Sequence, residues 1–134
     1  MSKPSIICIV DDDDVYQFTI TRTLEIQKAA EKILAFPDGE MAFQFIVEHR
    51  SKPSYLPDVI FLDINMPVMD GWQFLEAFDK IKSTIDKKIT IYLVTSSIDP
   101  ADVDRAKAIT SITKYLTKPI QPEALRGLIE YRPN

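Results

Sequence analysis

The sequence predicts a three-layer α/β domain: a five-stranded parallel sheet with helices on both faces. Three observations predict it. Nearly continuous runs of Val, Ile, Leu, Phe and Tyr occur near residues 5–10, 58–62 and 89–94, as expected of strands buried on both sides. Two weaker runs, Ile33-Leu34-Ala35-Phe36 and Ile112 to Thr117, complete a set of five. Between the runs, apolar residues recur at helical spacing. The order is therefore β-α repeated five times, which implies a parallel sheet with right-handed crossovers.

Each element has its own signal. The first run, Ile6-Ile7-Cys8-Ile9-Val10, is followed by a stripe of Tyr16, Ile20 and Leu24 at i, i+4 and i+8. After the second run come Met41, Ala42, Phe45 and Ile46, with Asp38 placed as the helix N-cap. Residues Arg50 to Pro57 read as a loop into the third run, Val59-Ile60-Phe61-Leu62. Asp70 caps a third stripe of Phe74, Leu75, Phe78 and Ile81. The charged stretch Lys80 to Lys88 reads as a solvated turn region before the fourth run, Ile89 to Val94. Asp99-Pro100 reads as a cap followed by Pro at the first helical position, opening a weaker stripe of Val103, Ala106 and Ile109. The fifth run leads to Leu125, Leu128 and Ile129.

Composition narrows the function. The 134 residues suit one domain spanning 1–134, with a single core. A net charge of −4 argues against nucleic-acid binding, because neutralising phosphates needs a basic surface. The single cysteine, Cys8, excludes an internal disulfide, suits a reducing compartment and reads as a small buried hydrophobe. No apolar run approaches the roughly 20 residues that span a bilayer, and Met1-Ser2-Lys3-Pro4 does not begin a signal peptide. A cytoplasmic protein without membrane partners is the expectation.

The polar residues that end the apolar runs carry the chemistry. Asp11 and Asp12 follow the first run, Asp63 the third, Thr95 the fourth and Lys118 the fifth. In an open parallel sheet these ends lie along one edge, where ligands bind. Three carboxylates gathered there repel one another unless a cation joins them. A hard ion such as Mg²⁺ takes oxygen ligands and uses one or two carboxylates. Asp12 and Asp63 could supply these, with a backbone carbonyl after Asp63 as a third ligand and Asp11 acting through water. An Asp carboxylate can also be a nucleophile toward phosphorus. Lys118 and the Thr95 hydroxyl would then meet phosphoryl oxygens. Asp13 and Asp14 read as a helix cap and a contribution to the negative field.

Val10-Asp11-Asp12, Asp63-Ile64-Asn65-Met66-Pro67-Val68-Met69-Asp70-Gly71, Thr95-Ser96 and Tyr115-Leu116-Thr117-Lys118-Pro119 together resemble the receiver domain of two-component response regulators, over essentially the whole chain. The resemblance implies the CheY-like, flavodoxin-like (βα)5 fold with strand order 2-1-3-4-5. It implies that Asp63 is the phosphoacceptor and that Asp12 binds the metal directly, with Asp11 beside it. Asn65 would offer its backbone carbonyl to the metal. Thr95 and Lys118 would contact the phosphoryl group, Tyr115 would change rotamer with Thr95, and the Lys118–Pro119 bond would be cis. Asn65 and Ser97 match positions that flank the phosphoryl group and tune its hydrolysis.

A phosphoryl group would come from a histidine kinase or a phosphotransfer protein. The signal would leave through the face of the fourth helix, fifth strand and fifth helix toward a downstream protein. Moving such a switch from 1:99 to 99:1 takes about 5.5 kcal/mol of differential stabilisation. Because the chain ends at Asn134, no output domain is expected, and the chain would be a phosphoacceptor, not an enzyme acting on another molecule.

Two other readings compete. A nucleotide-binding enzyme of this fold needs a Gly-rich loop after the first strand; here that loop is four aspartates, and the only glycines are Gly39, Gly71 and Gly127. A degenerate receiver serving as an unphosphorylated interaction or dimerisation module would not require all five key residues. Three further residues have structural readings. The only histidine, His49, reads as a partly exposed helix residue. Trp72 reads as a packing or rim aromatic, and Gly71 as a site of tight backbone packing near the acidic pocket.

Overall fold

The computed structural model describes residues 4–96 and 98–130. Five strands alternate with five helices: β1 (Ile6–Val10), α1 (Asp14–Ile26), β2 (Lys32–Phe36), α2 (Gly39–Glu48), β3 (Val59–Asp63), α3 (Gly71–Ile81), β4 (Thr90–Thr95), α4 (Pro100–Lys107), β5 (Ile112–Thr117) and α5 (Pro122–Glu130). All neighbouring strands pair in parallel, in the order β2-β1-β3-β4-β5.

The strength of each sequence signal follows from strand position. The central strands β1, β3 and β4 are buried at every residue. They have helices on both faces, so nearly every side chain is apolar or belongs to the site, Thr90 at the start of β4 being the exception. β2 and β5 are the sheet edges and are only partly covered, which is why their apolar runs are weak. The core divides into two layers. Ala42 and Ile46 of α2, Phe74, Leu75 and Phe78 of α3, and Ala106 of α4 pack on one face of the sheet. Ile20 and Leu24 of α1 and Leu125 and Ile129 of α5 pack on the other.

The helix caps lie where the sequence puts them, beside the carboxyl ends of the strands. Asp13 accepts hydrogen bonds from the amides of Val15 and Tyr16, and Asp38 from the amide of Met41. Asp70 forms a reciprocal capping box with Gln73, and Asp99 accepts from the Ala101 amide with Pro100 at the first helical position. Each cap satisfies a donor that the first turn leaves free.

Two details differ from the sequence reading. α4 ends at Lys107, so Ile109 lies beyond it, although its side chain still packs on the core. The Lys80 to Lys88 stretch is not uniformly solvated. It contains a short 3₁₀ turn at Lys82–Thr84. Lys87 pairs with Asp58 at 3.1 Å and donates to the carbonyls of Pro53 (3.1 Å) and Leu56 (2.8 Å). It ties down the loop before β3, whose Leu56 is fully buried.

Among the described residues no helix is long and apolar enough to cross a membrane. Cys8 is buried, and burial pushes its thiol pKa far up, as befits a core residue. His49 caps the end of α2, half-buried, with Nδ1 2.7 Å from the Phe45 carbonyl oxygen and its ring against Phe45 and Tyr55.

Candidate functional site

The parallel order brings the carboxyl ends of β1, β3, β4 and β5 to one edge, and with them the polar residues that end each run. Carboxylate oxygens of Asp11, Asp12 and Asp63 lie within 4.8 Å of one another. Asp11 and Asp63 are buried, and Asp12 is exposed. The Lys118 ammonium is 2.7 Å from Asp11 Oδ2 and 3.4 Å from Asp63 Oδ1. Thr95, at the end of β4 beside Asp63 and β5, is buried as well.

Hydrogen bonds hold most of the strand ends that carry these side chains. The Asp11 amide donates to the Phe36 carbonyl at 3.1 Å, and Gln17 clamps the same turn by donating to the carbonyls of Asp11 (2.6 Å) and Phe36 (2.7 Å). Asp11 Oδ1 accepts from the Asp13 amide at 2.9 Å, so both of its oxygens are engaged. After Asp63, the Ile64 amide donates to Val94 O at 3.1 Å, and the loop closes where the Gly71 amide donates to Ile64 O at 2.8 Å. A Cβ on Gly71 would lie 2.6 Å from the Asp63 carbonyl oxygen, which explains glycine there. The Lys118–Pro119 bond is cis, and the Lys118 amide donates to Thr95 O at 2.7 Å.

The electrostatics are strained. Burial, and then the neighbouring Asp11 charge, push the Asp63 pKa up to about 6 against the opposing pull of Lys118. Burial alone would lower the Lys118 pKa, but Asp11 and Asp63 raise it above the ordinary lysine value. Three carboxylates and one ammonium leave a formal charge of −2 in a small, partly dry volume. Oxygen donors with that residual charge fit a hard divalent cation, which would also relieve the cost of ionising Asp63.

The other residues singled out in the sequence take clear places. Tyr115 of β5 is half-buried, its hydroxyl shielded beside Thr95 and the Asp99 end of α4. Burial and then Asp102 raise its pKa. Asn65 is exposed in the loop after β3. Trp72 is buried, with the Arg105 guanidinium 4.4 Å from its ring centroid, so it joins α3 to α4 as a packing aromatic. Asp13 is the α1 cap and Asp14 opens the helix. Ser97 lies outside the described residues. Two contributors were not singled out for the site from sequence. Gln17 carried no signal, and Tyr16, whose ring lies 4.4 Å from the Lys118 ammonium, read only as part of the α1 stripe.

A family model for the response regulator receiver domain matches residues 7–130. The chain belongs to the response-regulator receiver family. It is 33% identical over 127 residues to the protein PilG of Pseudomonas aeruginosa, covering 92% of this chain and 84% of PilG. It is 27% identical to the probable methanogenesis regulatory protein FilR2 of Methanothrix harundinacea, covering 95% of this chain and 80% of that one. Other relatives are longer. The chain spans 31% of a protein-glutamate methylesterase/protein-glutamine glutaminase of Paramagnetospirillum magneticum and 7% of the hybrid signal transduction histidine kinase I of Dictyostelium discoideum.

Among solved structures, a two component response regulator from Cytophaga hutchinsonii superposes with a TM-score of 0.85 at 29% identity, covering 96% of both chains. The chemotaxis protein CheY4 of Vibrio cholerae gives 0.75 at 27% identity, covering 94% of this chain and 96% of that one. The fold is thus the CheY-like, flavodoxin-like receiver fold. Receiver domains are signalling modules that bind Mg²⁺ at an acidic pocket, and this one has such a pocket in Asp11, Asp12 and Asp63.

Proposed function

We propose that this receiver is a phosphorylation-driven switch that accepts a phosphoryl group on Asp63 from a histidine kinase or phosphotransfer protein in the cytoplasm. The observation that carries this reading is the Lys118 ammonium seated between Asp11 and Asp63, with Asp12 beside them at the open rim. An Asp63 oxygen forms the bond to phosphorus while the bond from phosphorus to the donor nitrogen breaks. The nitrogen leaves with the electron pair and takes up a proton. Asp12, Asp63 and the Asn65 backbone carbonyl would hold Mg²⁺, with Asp11 acting through water. The bound ion supplies positive charge to the transferring oxygens.

Lys118 neutralises a second oxygen and Thr95 donates to a third. Tyr115 follows Thr95, and the face of α4, β5 and α5 then presents a changed surface to a downstream protein. The same residues assist hydrolysis of the aspartyl phosphate.

Incubation with acetyl phosphate and Mg²⁺ tests this. Intact mass should rise by one phosphoryl group in the wild type and not in Asp63→Asn, which should keep its fold. Equal labelling of Asp63→Asn would displace the acceptor. No labelling of the wild type would favour a degenerate receiver that works as an interaction module.

A further inference from the structure

Tyr16 stands in the site without a role in the reading above. It lies in the opening turns of α1, its ring partly buried against the α1–α5 layer of the core. The ring face covers the Lys118 ammonium at 4.4 Å, the same ammonium that contacts Asp11 at 2.7 Å and Asp63 at 3.4 Å. The cation is therefore held between an aromatic face and two carboxylates, an arrangement that restricts its position. The Tyr16 hydroxyl is buried and has no hydrogen-bond partner among the described residues.

A buried hydroxyl without a partner costs free energy that Phe at this position would not incur. Phe would fill the same space and lie on Lys118 equally well. The hydroxyl therefore answers a need that packing does not. Burial, followed by the charges of Asp11 and Asp63, raises the phenol pKa well above its ordinary value, so the group stays a neutral O–H donor and sits within the field of both carboxylates. Asp11 takes the Asp13 amide and Lys118 on its two oxygens, and neither oxygen reaches the Tyr16 hydroxyl as a hydrogen-bond partner. A donor held next to an ammonium, with no acceptor of its own, is matched by an anion that arrives with the reaction.

We propose that Tyr16 belongs to the acceptor site: its ring seats the Lys118 ammonium, and its hydroxyl donates a hydrogen bond to an oxygen of the phosphoryl group carried by Asp63. This rests on the assignment of Asp63 as phosphoacceptor. Lys118 is the electrostatic contact and Tyr16 both positions it and adds a neutral donor.

The test uses the full chain with acetyl phosphate and Mg²⁺, comparing wild type, Tyr16→Phe and Tyr16→Leu. Tyr16→Phe should be phosphorylated about tenfold more slowly, the size of one hydrogen bond to a charged oxygen. Its Mg²⁺ affinity by calorimetric titration should be unchanged, and its melting temperature equal to or above that of the wild type, because an orphaned hydroxyl has gone. Tyr16→Leu, which also unseats Lys118, should be slower still. A loss of less than threefold in Tyr16→Phe overturns the inference, as a hydroxyl merely satisfied by solvent would give. So does a lower melting temperature for Tyr16→Phe, since the hydroxyl would then have a structural partner. If wild type is labelled and Tyr16→Phe matches it, only this inference fails. If wild type is not labelled, the assignment of Asp63 fails and this inference falls with it.

Discussion

Replacing Gly71 by Ala should damage stability and phosphorylation together. Gly71 is the first residue of α3, and an added Cβ would lie 2.6 Å from the Asp63 carbonyl oxygen, 3.0 Å from Ile64 Cα and 3.3 Å from Asp63 C. All three are backbone atoms of the strand end that carries the acceptor, so no side chain can swing aside. Ordinary carbon contacts begin near 3.5 Å, so the strand end or the helix start must move by roughly 0.5–1 Å. Overpacking of this kind costs about 1–3 kcal/mol, while Ala in place of Gly returns at most about 1 kcal/mol of helix propensity. A net loss of about 1–2 kcal/mol should lower the melting temperature by roughly 3–10 °C in a domain of this size. Displacing a reacting group by about 1 Å can cost on the order of 10²-fold in rate, so labelling by acetyl phosphate should slow by at least about tenfold. Gly127 supplies the control. It lies within α5, and a Cβ there would meet nothing within 4 Å. Gly127→Ala should therefore stabilise by about 0.5–1 kcal/mol and leave labelling unchanged. If thermal melts and intact-mass time courses put Gly71→Ala and Gly127→Ala on the same side of wild type, the steric reasoning is refuted.

Asp12 and Asp13 should part company. Asp12→Ala should weaken Mg²⁺ binding, measured by calorimetric titration, with little loss of stability; Asp13→Ala should lose about 1 kcal/mol through its missing cap and bind Mg²⁺ nearly as before. Equal effects of the two on Mg²⁺ would overturn their division of roles. Asp58 should make stability depend on acid. Burial works to raise its pKa, but the Ile6 amide, Lys87 and the Ser5 amide together hold it below the usual carboxylate value. A carboxylate with a depressed folded pKa stabilises above its unfolded pKa of about 4, and that stabilisation is lost as pH falls through the folded value. Asp58→Asn should thus be less stable than wild type by about 1–2 kcal/mol at pH 7, and denaturant midpoints should converge as pH falls below the ordinary carboxylate range. A gap that persists in acid would rule out the ion pair as its source.

The fold was legible because burial writes itself into composition. β1, β3 and β4 have no solvent-facing side, so their runs contain almost nothing polar until the functional residue at the end. The edges β2 and β5 were faint for the converse reason. The apolar stripe of Val103, Ala106 and Ile109 outlasts α4, because Ile109 keeps its apolar contact with the core after the helix has stopped. Lys87 was misread because a lysine that meets a buried carboxylate and two carbonyls looks, in sequence, like any other lysine in a charged stretch. Tyr16 shows the deeper limit. A 3.6-residue period reports which helix face turns inward. It does not say whether the inward ring meets aliphatic core or, as here, an ammonium ion as well.

The site also explains why Asp63, and not Asp11, should be the nucleophile, although both are buried carboxylates next to the same lysine. Asp11 is held on both oxygens, by the Asp13 amide at 2.9 Å and by Lys118 at 2.7 Å. Each of its oxygens thus already meets a protein donor. Asp63 has the weaker share of Lys118, at 3.4 Å, and sits close enough to Asp11 for the two charges to repel. The less engaged oxygen is the one free to attack phosphorus. Removing Lys118 would leave three carboxylates without a protein cation, so Lys118→Ala should bind Mg²⁺ at least as tightly as wild type while losing phosphorylation. Loss of both together would mean that Lys118 builds the pocket rather than stabilising the transferred group.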